Sequence, residues 1–121
     1  MTTVTLENDI LTVTIEGFDR FFALRNKVQV HANHIVQVGQ ATDKAKKWLQ
    51  GIRLGGSHIP GVISAGIFYE RGGLVFWDVH HADNAIFIAL KNEQFKELVI
   101  EVRNPAEVLE MIKKAYVFGA V

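Results

Sequence analysis

The sequence predicts a mainly β fold: a barrel of about seven antiparallel strands in two nearly orthogonal sheets, closed at one end by a C-terminal helix. Two observations lead to this prediction. Short stretches of alternating apolar and polar residues, separated by turn residues, fill most of the chain. A strongly capped helical pattern follows the last of them. The 121 residues fit one domain spanning 1–121.

The first elements are a β-hairpin and a short helix. Thr3–Glu7 and Ile10–Glu16 alternate as half-buried strands do, and Asn8-Asp9 between them is a turn signal. Phe18–Arg25 places its phenylalanines at helical spacing. We therefore expect one or two helical turns there that fill an opening in the sheet.

The middle of the chain continues with strands at Val28–His31 and His34–Gln40, interrupted by Ala32-Asn33. Thr42-Asp43 can cap a short helix rich in lysine. Residues 50–61 are rich in glycine and predict a loop or an irregular edge.

The central hairpin joins two apolar arms, residues 62–69 and 74–79, through Glu70-Arg71-Gly72-Gly73. Both glycines can take the positive φ that a tight turn needs. We expect a register that pairs Phe68 with Trp77. Large side chains on both faces predict a ribbon that is covered on each side.

The last elements are two strands, Ala85–Leu90 and Glu97–Val102, and a helix that begins at Asn104-Pro105. The helix has one apolar stripe, made of Val108, Leu109, Ile112, Ala115 and Tyr116. The tail after it is apolar, which predicts contact with the core or with a partner. Tyr116 at the end of the helix and three residues of the tail form a candidate interface: Tyr116, Val117, Phe118 and Val121.

The charge balance and the cysteine content limit the partners and the cellular location that the sequence predicts. Thirteen basic and thirteen acidic residues cancel, so the sequence predicts no nucleic-acid partner and only weak repulsion between copies. The chain has no cysteine, and its first residues lack the features of a signal peptide. It also has no apolar run of the roughly 18–20 residues that span a bilayer. We expect a cytoplasmic protein without an integral membrane segment.

The order of barrel strands and terminal helix resembles the pleckstrin-homology-like (PH-like) superfold, and the chain is similar to small bacterial PH-domain proteins. The motifs that carry this resemblance are Ala23-Leu24-Arg25, Gly51-Ile52-Arg53, Ile59-Pro60-Gly61, Phe76-Trp77 and Pro105-Ala106-Glu107. The resemblance implies a fold and no catalytic residue. Glu7-Asn8-Asp9 stands where phosphoinositide-binding PH domains carry basic residues, so inositol-phosphate binding is not expected.

No catalytic pattern is present: the sequence lacks HExxH, GxSxG, a P-loop and a GxGxxG fingerprint. We therefore predict no enzyme activity, no cofactor and no metal. One alternative is a small-ligand or metal site beside Trp77 and Tyr69, in which imidazoles and a carboxylate converge: His58, His80, His81 and Asp78. Adjacent strand residues such as His80 and His81 point to opposite sides, which weakens this alternative.

A second alternative is weak contact with an anionic membrane surface. Four basic residues lie near Trp48, an arrangement typical of interfacial contacts: Lys44, Lys46, Lys47 and Arg53. The main hypothesis is a non-enzymatic binding or assembly module whose partner is another protein or itself, with a homo-oligomer expected. Open strand edges and the apolar C-terminal residues favour it.

Overall fold

The computed structural model describes residues 2–16, 26–43, 45, 57–59, 63–70 and 72–119, the backbone alone for 57–59, 63–65, 70 and 116–119. The strands in these residues, more numerous than predicted, are β1 Thr2–Glu7, β2 Ile10–Ile15, β3 Lys27–His31, β4 Ile35–Gln40, β5 Ser57–Ile59, β6 Ile63–Glu70, β7 Gly73–Val79, β8 Ala85–Leu90 and β9 Glu97–Glu101. A helix, α1, spans Pro105–Gly119. Two short 3₁₀ helices, Ala32–His34 and Ala82–Asn84, precede β4 and β8.

The strands form two sheets, which confirms the mainly β class with a C-terminal helix. One sheet has the order β1-β2-β3 and the other β4-β8-β9-β7-β6-β5. The described strands do not close into a barrel. The prediction of purely antiparallel pairing is wrong, because β9 lies parallel to β7. The chain inserts β9 between β7 and β8, and residue alternation identifies strands without saying which strands become neighbours.

The predicted register of the central hairpin is also wrong. Val75, and not Trp77, lies opposite Phe68. The shift is two residues, so every side chain keeps the face that the alternation gave it. The expectation that both faces are covered is confirmed, since Phe76 and Trp77 are both fully buried in different core clusters.

The two turn glycines have different roles, which explains the register. Gly72 has a φ of 84° and provides the tight turn. Gly73 already belongs to β7 and pairs with Glu70. A Cβ at Gly73 would lie 2.7 Å from Cδ of Lys96, so this glycine leaves room for a neighbouring side chain.

The main core lies between the two sheets and α1. It combines side chains from three sources: Leu11, Val13 and Val30 of the small sheet, Phe76, Ile88 and Ile100 of the large sheet, and Leu109 and Ile112 of the helix. A second cluster covers the opposite face of the large sheet and contains Phe68, Val75, Trp77, Val79 and Val99. Because both faces are buried, residues 74–77 of β7 form a continuous apolar run.

The first turn and the C-terminal helix lie where the sequence predicts them, and the structure adds one strand and a longer helix. Asn8 and Asp9 form the first turn with φ of 53° and 64°, a region that their short polar side chains tolerate. The predicted loop at 50–61 contains β5, which pairs with β6 at the sheet edge. The helix α1 continues to Gly119 and so includes residues placed in the tail.

Two predicted helices are wholly or partly outside the described residues. The helical turns at 18–25 lie outside them. Of the helix that begins at Thr42, only Thr42, Asp43 and Ala45 are described, and all three are helical. Among the helices that the structure does describe, none has the length and apolar character needed to cross a bilayer.

Candidate functional site

The residues of the predicted histidine cluster lie in β5, in β7 and in the segment that directly follows β7. Asp78 lies in β7 and is fully buried, and His80 directly follows this strand. His81 is the N-cap residue of the second 3₁₀ helix. The backbone of His58 is in β5, at the edge of the large sheet, and its side chain lies outside the described residues.

A buried carboxylate, which the sequence did not predict, accepts hydrogen bonds from the backbone of the two consecutive histidines. Oε1 of Glu101 accepts hydrogen bonds from the backbone N–H groups of His80 and His81, at 2.6 and 2.7 Å. Oε2 lies 3.3 Å from Nδ1 of His81. The Glu101 side chain is 1 % exposed, whereas that of His81 is 78 % exposed. The main-chain contacts therefore hold the end of β7 against β9, and the imidazole stands at the surface.

A second carboxylate holds the other histidine pair in a similar way. Oε2 of Glu93 lies 2.7 Å from Nδ1 of His34 and accepts the backbone N–H of His31 at 3.1 Å. The rings of His31 and His34 meet edge to face at 5.2 Å. This contact joins the first 3₁₀ helix to the turn between β8 and β9.

Neither histidine pair builds a metal site with neighbouring acids. Among the residues that the structure describes, no three His, Asp or Glu side chains are grouped so that they could hold a metal ion. The expected concavity beside Trp77 and Tyr69 is not formed by these two residues, since Trp77 is fully buried and Tyr69 is 75 % exposed. The metal alternative thus gains no support from the described side chains.

The other predicted contact residues are only partly described. The basic cluster Lys44, Lys46, Lys47 and Arg53 lies outside the described residues, as does Val121. Tyr116, Val117 and Phe118 belong to the last turns of α1, and only their backbone is described. At these three residues the predicted interface therefore belongs to the helix.

The helix α1 presents an open apolar surface on its outer flank. It begins at Pro105, whose fixed φ suits a first helical position, and the carbonyl of Asn104 accepts the N–H of Val108 at 3.0 Å. Leu109 and Ile112 enter the main core. This anchoring leaves the opposite side of the helix in solvent.

An apolar groove of about 720 Å³ follows the outer flank of α1 and reaches β1. Seven residues line it: Leu6, Ala106, Glu107, Glu110, Met111, Lys114 and Ala115. Leu6 and Met111 are partly buried against the core, and the three charged residues are exposed. We call this surface the helix groove. It is an apolar strip between charges of both signs, which suits contact with a peptide or a protein surface. Its lining residues include no buried nucleophile or base.

Sequence reasoning missed the residues that organise both sites. Glu101 lies among the apolar residues of β9 and no pattern in the sequence marks it as buried, but this strand is buried on both faces. Glu93 lay in a segment of polar turn residues with no pattern of its own. The groove forms because Leu6 lies beside α1. These two parts are far apart in the sequence, so no local pattern predicts the groove.

The helix groove has charged and apolar residues but no catalytic geometry, and each described histidine–carboxylate contact joins two parts of the fold. Comparison of the chain with known protein families, curated proteins and solved structures finds no match.

Proposed function

We propose that this protein is a non-enzymatic binding or assembly module that acts through protein–protein contact or self-association at the helix groove. The observation that carries the proposal is the groove itself, where Leu6 and Met111 offer apolar surface between exposed charges. Apolar centres with charged rims are typical of surfaces that bind protein.

The placement of the described histidines supports a non-enzymatic role. His34 is 25 % exposed and contacts Glu93, so its Nδ1 is engaged in a structural contact. His81 is exposed, but the carboxylate beside it is buried and saturated by backbone donors on Oε1. A general acid or base needs a reactive atom that a substrate can approach, and Nδ1 of His34 and Nδ1 of His81 are both turned toward a carboxylate of the fold.

The PH-like relationship and the cytoplasmic location belong to the same proposal. Two facing sheets and a terminal helix support a PH-like fold, while the parallel pairing of β7 with β9 is a departure from it. The absence of cysteine from all 121 residues supports a reducing compartment. A crystal structure that traces residues 46–56 would test the fold: a closed barrel supports it, and two open sheets overturn it.

Site-specific photo-crosslinking tests the proposed function. A photoreactive phenylalanine analogue is placed at Ala106, which is exposed in the groove, and in a control protein at Gln94, which is exposed and does not line the groove. We expect a discrete adduct from position 106 and none from position 94. The adduct is identified by mass spectrometry and formed again from purified components.

Two outcomes separate the possible partners. An adduct of the chain with itself or with another protein, lost when Glu107→Lys changes the groove charge, supports the proposal. Equal labelling at both positions, or no adduct at 106 in cells and in purified protein, overturns it.

A further inference from the structure

We propose that the occupant of the helix groove is a second copy of this chain, docked so that the two α1 helices run antiparallel across a two-fold axis. This inference rests on the proposed function and names its partner. It is carried by the order of charges and small residues along the helix.

The six helical residues of the groove form a set that is symmetric about the midpoint between Glu110 and Met111. At the ends, Ala106 and Ala115 lie equally far from this midpoint. Nearer the centre, Glu107 and Lys114 also lie equally far from it. A two-fold axis through this midpoint therefore brings each member of a pair against the other member in the partner.

The outer charges, Glu107 and Lys114, match in this arrangement, whereas Glu110 faces the partner's Met111. Glu107 faces the partner's Lys114, and by symmetry Lys114 faces the partner's Glu107, so two opposite-charge contacts form. A parallel arrangement would set Glu107 against Glu107 and Lys114 against Lys114, which is repulsive. The charge order thus selects the antiparallel arrangement, as it does at other paired helices.

The small and flexible residues also fit close docking. Ala106 meets the partner's Ala115 at each end, and two alanines allow the helices to approach closely. At the centre, Met111 lies against Glu110, where its flexible thioether can fill the gap beside the carboxylate stem. Leu6 extends the apolar floor toward β1.

The bulk charge is compatible with this dimer. Thirteen basic and thirteen acidic residues give no net repulsion between copies. The chain also has no cysteine, so introduced thiols can report the orientation without a background signal.

Sedimentation equilibrium of the full chain, with charge variants, tests the dimer. We expect a concentration-dependent mass that rises from 13.6 kDa toward twice this value. Lys114→Glu places like charges together twice in each dimer and should raise the dissociation constant about tenfold. Glu107→Lys should do the same, and the double variant should recover wild-type affinity.

Lys113→Glu is the matched control, because Lys113 is exposed on the same helix and does not line the groove. It changes the net charge as Lys114→Glu does, and we expect a change in the dissociation constant of less than about twofold. If both variants weaken the dimer equally, the contact is not in the groove and the proposal is wrong.

Thiol crosslinking tests the orientation. We expect a dimer when the Ala106→Cys and Ala115→Cys variants are mixed with a short bifunctional maleimide, and none with either variant alone. Crosslinking of each variant with itself would overturn the antiparallel arrangement. A mass of 13.6 kDa at all concentrations, together with a photo-adduct of a different protein, overturns the second copy and leaves the proposed function standing.

Discussion

Two carboxylates, Glu93 and Glu101, perform the same task in different surroundings. Each accepts a backbone N–H from a histidine that precedes a 3₁₀ helix, and each lies near a histidine Nδ1. Glu101 is 1 % exposed and has two main-chain donors, whereas Glu93 is 16 % exposed and accepts the main-chain N–H of His31 beside a short imidazole contact. The backbone contacts are therefore the shorter ones at Glu101, whereas the imidazole contact is the shorter one at Glu93.

The two carboxylates are therefore stabilised by different groups. At Glu101 the donors belong to the backbone, so the histidine side chains can change without loss of the contact. At Glu93 the imidazole is the nearer donor, so the identity of His34 matters. Buried polar groups are costly when they lose a partner, and the cost falls as water gains access.

The largest effect is expected at Glu101. Glu101→Ala leaves the N–H groups of His80 and His81 without their acceptor and should lower the free energy of unfolding by about 3 kcal/mol. Urea unfolding followed by circular dichroism measures this. Since this variant could fail to fold, Glu101→Gln is its companion: it keeps one acceptor oxygen and should cost about 1 kcal/mol. A neutral result for Glu101→Ala would contradict the assigned role.

A smaller effect is expected at Glu93. Glu93→Ala removes the acceptor of a solvent-accessible N–H and of His34, and water can replace part of both contacts. We expect a loss of about 1 kcal/mol in the same urea experiment. A loss as large as that of Glu101→Ala would mean that burial does not distinguish the two sites.

The two imidazoles should respond in opposite order to their carboxylates. His34→Ala removes a 2.7 Å contact from a partly buried ring and should cost about 1 kcal/mol. His81→Ala removes a 3.3 Å contact from an exposed ring and should cost less than about 0.5 kcal/mol. If His81→Ala is the more damaging variant, the comparison fails.

The smallest effect concerns an exposed carboxylate that serves as a reference. The Thr3 hydroxyl donates a hydrogen bond to Glu16, and with Arg103 nearby it lowers the pKa of Glu16 below its usual 4.5. A lowered folded-state pKa gives stability that is present above the unfolded pKa and is lost as pH falls through the folded pKa. Thr3→Val should therefore destabilise the protein by less than about 0.5 kcal/mol at pH 7. The difference from wild type should shrink below pH ~4, and a difference that is constant with pH would contradict it.

Part of the fold followed from local patterns. Alternation located most of the strands, Asn8-Asp9 identified the first turn, and Asn104-Pro105 identified the start of α1. These features depend on residues within a few positions of one another, which a sequence displays directly. The short strand β5 was missed because its pairing with β6, and not its composition, makes it a strand.

The candidate sites were harder to predict for the same reason. The sequence predicted that histidines lie near Asp78 and beside Tyr69 and Trp77. In the structure Trp77 is buried whereas Tyr69 is exposed, and the carboxylate beside His81 is that of Glu101. Glu101 became that partner because β9 inserts beside β7. Such a choice depends on long-range packing, which alternation does not encode.

The amino-acid order by itself determined most of the stretches that become strands, where α1 begins, and the symmetric spacing of charges along that helix. Only the tertiary structure decided that β9 runs parallel to β7, that Glu101 is buried beneath two backbone donors, and that Leu6 joins α1 in one groove. The physical reason is that local periodicity sets the face of each side chain, whereas the packing of distant elements sets its neighbours.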